Sequence, residues 1–89
     1  MVMDAGIKDT TAYAISRQVM DHVYGEDEEL SEQDFSYVSR DFKRRGGSWE
    51  SLMAGDMRSV EALEAALESL VTMRRLMTIA TRIAGLGGQ

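Results

Sequence analysis

The stretch VEALEAALESLVTMRRLMTIATRIA, residues 60 to 84, contains neither proline nor glycine and repeats its apolar residues at helical spacing. Val60, Leu63, Leu67, Leu70, Met73, Met77, Ala80 and Ala84 follow one another at steps of three or four residues. That is the period of one face of an α-helix. It is close to a heptad seam with one three-residue step inserted between Leu70 and Met73, which moves Arg74 off the seam. Glu61, Glu64, Glu68, Arg75 and Arg82 share the opposite, solvated face, with the acids first and the bases last. That order suits the helix dipole.

With Asp56 as its cap, the spacing predicts one helix over residues 57 to 84, ended by Gly85. At 1.5 Å per residue such a rod spans about 40 Å. A compact domain of this length has a radius of gyration of only about 12 Å. The rod is therefore expected to project, to bend, or to lie against another subunit. Beyond Met73 it gains a second apolar ridge, Leu76, Ile79 and Ile83. So wide an apolar surface needs more than one covering neighbour. Either the earlier helices or a second copy of the chain must supply it.

Upstream, RDFKRRGGSWESLMAG, residues 40 to 55, packs four basic side chains against a Gly-Gly pair and the only tryptophan. Ser31 is placed as the N-cap of a preceding helix, with Asp34 as its capping-box partner and Leu30 and Phe35 as a hydrophobic staple. Phe35, Val38 and Phe42 line one face of it. Lys43, Arg44 and Arg45 then fall in its last turn and Gly46 just past it. Cations there complement the dipole, and glycine there accepts a left-handed backbone. The basic cluster thus has a structural explanation without a ligand. Ser48 caps a short helix from Trp49 to Ala54, closed by Gly55. A first helix is predicted over residues 9 to 24, with Ala12, Ile15, Val19 and Val23 as its stripe and Gly25 as its end. The stretch GEDEEL that follows reads as a solvated loop.

Proline is absent from the whole chain, and no run shows strand-like alternation. The expected fold is a small all-α bundle of three to four helices with a long C-terminal helix. It forms one domain over 1–89, with residues 1–8 and 85–89 as flexible ends. With 89 residues the core is thin, and the absence of cysteine removes disulfides and thiolate metal sites. A partner subunit is the remaining supplement, so a homodimer is expected. No run approaches the apolar length of a membrane span, and the N-terminus lacks a signal-peptide pattern. A cytoplasmic protein without membrane attachment is the expectation.

The net charge of -5 is unevenly placed. Residues 1–34 hold nine acids and two bases, whereas residues 35–89 hold six acids and eight bases. An acidic chain is repelled by phosphate at long range. A nucleic-acid role would rest on Arg40, Lys43, Arg44 and Arg45, with Tyr37, Phe42 and Trp49 nearby for stacking. The helix that would follow them, SWESLMAG, carries Glu50 and no base. This is the alternative reading and not the leading one.

Catalytic and cofactor chemistry finds little support. His22 is the only histidine, and no serine sits in a G-x-S-x-G setting. The run Glu26, Asp27, Glu28, Glu29 lacks the alternate spacing and central glycine of a calcium loop. No phosphate-loop glycine pattern occurs. The closing Gly87–Gly88–Gln89 resembles the tripeptide of peptide-chain release factors over three residues only, without the large domain around it. No enzyme activity, metal or cofactor is expected.

The leading expectation is a non-catalytic protein–protein interaction module: an adaptor, a regulatory subunit or a small acidic inhibitor of a larger machine. Its interface residues are Leu67, Leu70, Met73, Leu76, Met77, Ile79, Ile83 and Trp49. Methionine suits such adaptable contacts, and tryptophan often anchors them. Glu26, Asp27, Glu28, Glu29, Glu32 and Asp34 form an acidic surface able to stand in for phosphates.

Overall fold

The computed structural model of the chain describes residues 9–87. Four α-helices follow in order: α1 Asp9–Tyr24, α2 Glu32–Arg44, α3 Trp49–Met53 and α4 Met57–Gly87. A single 3-10 turn, Gly25–Asp27, separates α1 from α2. The described residues contain no strand, so the chain is all-α with a long C-terminal helix. No helix among them is long and apolar enough to cross a membrane.

Helix α2 begins where its cap chemistry places it. Ser31 is extended, and its hydroxyl accepts a hydrogen bond from the Asp34 backbone N–H at 3.1 Å. Leu30 is buried and Phe35 half-buried, as a staple requires. At the other end, Gly46 adopts φ 91°. Its N–H donates to the Lys43 carbonyl, and the Gly47 N–H donates to the Phe42 carbonyl. These two bonds are the Schellman pair. The same pair closes α3, from Gly55 to Leu52 and from Asp56 to Ser51. The corner between α2 and α3 is therefore built from backbone bonds and glycine.

Trp49 plugs that corner. Its ring centroid lies 4.1 Å from Phe42 and 5.9 Å from Phe35, and Phe35 meets Tyr13 of α1 edge-on at 5.4 Å. The ladder joins α1, α2 and α3. The Ser48 N–H donates to the buried Ser59 hydroxyl at 3.2 Å, which ties the corner to the first turn of α4.

Packing is concentrated between α2 and the first half of α4. Val38 and Phe42 from α2 share the core with Leu63, Ala66, Leu67, Leu70 and Val71. Helix α1 differs from the sequence expectation in its rotation. Ala12 is buried, but Val23 is 47% exposed, and the fully buried line runs through Ser16 and Met20. Ser16 can be buried because its hydroxyl donates to the Ala12 carbonyl at 2.8 Å. A rule that counts only apolar residues cannot see a serine satisfied by its own helix.

Two other expectations shift. GEDEEL is not simply a solvated loop: its first three residues form the 3-10 turn and Leu30 enters the core. Gly85 does not end α4, which continues to Gly87. The remainder of the expected flexible ends, 1–8 and 88–89, lies outside the described residues.

The two corner glycines should respond differently to alanine. At Gly46 an added Cβ meets open space, so only the left-handed backbone resists, at about 1 kcal/mol. At Gly47 the Cβ would lie within 2.6 Å of Phe42 ring carbons, and displacing that ring should cost about 1–3 kcal/mol. Urea unfolding followed by Trp49 fluorescence measures both. Gly47→Ala should also shift the native emission, because Phe42 stacks on Trp49, whereas Gly46→Ala should leave it unchanged.

Candidate protein-interaction surface

Helix α4 is one unbroken rod of 31 residues, about 46 Å at 1.5 Å per residue. Only its first half belongs to the body. The molecule measures 54 × 28 × 20 Å with a radius of gyration of 15.2 Å, well above the compact value. From Arg75 to Gly85 every residue is exposed. The earlier helices therefore do not cover the second ridge. Leu76, Met77, Ile79 and Ile83 are 51–64% exposed, and Met73 at their base is 38% exposed. The other three residues expected at an interface lie elsewhere: Leu67, Leu70 and Trp49 are buried in the chain's own core.

The ridge does not stop where the body begins. Ala65, Ser69 and Thr72 continue its line toward the N-terminus of α4 and form the floor of a shallow groove. Tyr37 and Arg45 wall it on one side, and it opens onto Leu76. The Tyr37 and Ser69 hydroxyls lie 2.9 Å apart in a hydrogen bond that holds the wall in place. A stripe of α4 thus changes character along its length, from small and recessed to bulky and projecting.

At the junction, Arg74 clamps the body. It pairs with Glu28 at 3.1 Å and with Asp34 at the start of α2. Burial works against its charge, but the hydrogen bonds to Asp34 and Glu28 outweigh that and raise its pKa. Two of the six residues of the expected acidic surface are thereby engaged within the chain. Glu26, Asp27, Glu29 and Glu32 remain exposed.

The basic cluster divides in a similar way. Asp41 is buried, and it accepts hydrogen bonds from Arg44 and from Arg45, the latter at 2.8 Å. Those bonds, with Arg44 first, hold the Asp41 carboxyl below the usual carboxylate range. Arg40 and Lys43 instead face an open groove shared with Thr10, Tyr13, Glu32 and Phe35. His22 is exposed on α1. Among the described residues, no group of three histidine, cysteine, aspartate or glutamate side chains is placed to hold a metal ion.

The role of Asp41, the pairing of Arg74 and the small-residue groove are absent from the sequence expectations. Asp41 had a local signal, since it precedes Arg44 and Arg45 by three and four residues. The Arg74 clamp had none, because its partners lie 46 and 40 residues away.

The buried carboxylate yields a pH prediction. Its folded pKa is depressed, so its contribution to stability is complete above the ordinary value of 3.8 and fades as the pH falls below it. Asp41→Asn should lower the unfolding free energy by about 1–2 kcal/mol near neutrality. The difference between the two proteins should stay level above about pH 5 and shrink on further acidification. Denaturant titrations at several pH values test it, and a difference independent of pH would exclude the ionised carboxylate as its source. Compared with known proteins, the chain matches no protein-family model, no curated protein and no solved structure.

Proposed function

We propose that the chain is a non-catalytic protein–protein interaction module whose working surface is the projecting half of α4. One observation carries this reading: Leu76, Met77, Ile79 and Ile83 stand exposed together on a continuous helix beyond the body. Single exposed apolar residues are ordinary, but a contiguous apolar patch marks a contact surface. The helix also ought to fray there if nothing covered it, since isolated helical turns are marginal in water. Association supplies the burial that a thin core lacks.

The remaining exposed acids, Glu26, Asp27, Glu29 and Glu32, carry negative charge outside that patch. They suit steering toward a basic partner, or an inhibitor's imitation of phosphates. The nucleic-acid alternative draws on fewer side chains than the sequence suggests, because Arg44 and Arg45 are already held by Asp41. Arg40 and Lys43 on a chain of net charge -5 make a small electrostatic footprint.

A photo-crosslinking amino acid at position 79 tests the module directly in living cells. Illumination should trap protein adducts, either of the chain with itself or with another protein. The same probe at Thr11, exposed on α1 away from the ridge, serves as the control. Adducts equally abundant at both positions, or absent at 79, would overturn the reading.

A further inference from the structure

We infer that the occupant of this surface is a second copy of the chain, paired antiparallel, α4 against α4. The projecting half of each copy would cover the body half of the other. This rests on the interaction-module reading and adds the identity and orientation of the partner.

Shape is the first argument. One stripe of α4 carries Ala65, Ser69 and Thr72 in the body and Leu76, Ile79 and Ile83 beyond it. An antiparallel pair sets Ile83 of one copy opposite Ala65 of the other, Ile79 opposite Ser69 and Leu76 opposite Thr72. Two-fold symmetry then repeats the same three matches. Every bulky residue meets a small one, which lets the helices approach closely. A parallel pair would set bulky against bulky and leave both grooves empty.

Charge is the second argument, and it comes from different residues. Glu61, Glu64 and Glu68 are exposed along one flank of this stripe. Further along the same flank come Arg75 and Arg82, also exposed, and no acid follows Glu68 in the sequence. Reversal alone brings this flank against itself, with Arg82 set against the acids of the other copy and Arg75 near the two-fold axis beside its own copy. In the register above, Arg82 of one copy falls between Glu64 and Glu68 of the other. A parallel two-fold pair would place the two copies of this flank on opposite sides of the interface, so its acids would find no complementary bases.

The chain has no cysteine, so single-cysteine variants are clean probes. Ala65→Cys and Ile83→Cys chains, one tagged, are mixed and treated with a short bis-maleimide. The expected product is the mixed 65–83 dimer, with little crosslinking in either variant alone. A charge test accompanies it by sedimentation equilibrium. Glu68→Arg and Arg82→Glu should each weaken self-association about tenfold. Mixing the two variants should restore it, because each restored contact then joins opposite charges.

Predominant 83–83 crosslinks would overturn the antiparallel arrangement while leaving the module reading intact. A chain that stays monomeric, yet is trapped at position 79 by a different protein, would overturn self-pairing alone. A monomer with no adduct at 79 would overturn both.

Discussion

The contact between α2 and the first half of α4 is the interaction on which the rest of this structure depends. Phe42 and Val38 are wholly buried there against Leu63, Ala66, Leu67 and Leu70. Neither α1 nor α3 has enough apolar surface to organise a core alone. Helix α1 reaches it through Ala12, Met20 and half-buried tyrosines. Helix α3 has only five residues and reaches it mainly through Trp49. Because α2 is much shorter than α4, their contact ends near Val71, and the second half of the rod is left without a neighbour. The exposed ridge is a direct consequence of unequal helix lengths.

Two charge clusters hold this arrangement in register. Asp41 gathers Arg44 and Arg45 at the C-terminal end of α2, where the helix dipole also favours cations. Arg74 reaches across from α4 to Glu28 and Asp34 near the other end of α2. The Arg74 pairs, at partly exposed sites, contribute little energy each. Their effect here is geometric: Arg74 sits at the last buried turn of α4 and fixes how that helix leaves the body. The same residues explain why the charge clusters visible in the sequence are smaller as surfaces than as strings. Acids and bases that are far apart in the chain are partly engaged with one another.

Much of this fold was legible residue by residue. Ser31, Ser48, Gly46 and Gly55 act on their immediate neighbours, so their cap and turn roles follow from local backbone chemistry. The long helix follows from the three- and four-residue spacing of its apolar positions. The face that each helix turns inward was less legible. In α1 the apolar stripe pointed to Val23, yet Ser16 is buried and Val23 exposed. Periodicity fixes a face to within one or two residues, and the aromatic contact of Tyr13 with Phe35 settles the remaining rotation.

The sequence by itself determined the helical class, the helix starts and the presence of two apolar ridges on the last helix. These follow from interactions within a few residues of chain. Only the tertiary structure decided how those ridges are used. It buries Leu67, Leu70 and Trp49 inside the chain and leaves Leu76, Met77, Ile79 and Ile83 outside it. All are apolar residues at helical spacing, and nothing local distinguishes them. What separates them is where α2 ends in space, which depends on packing between segments some 30 residues apart in sequence.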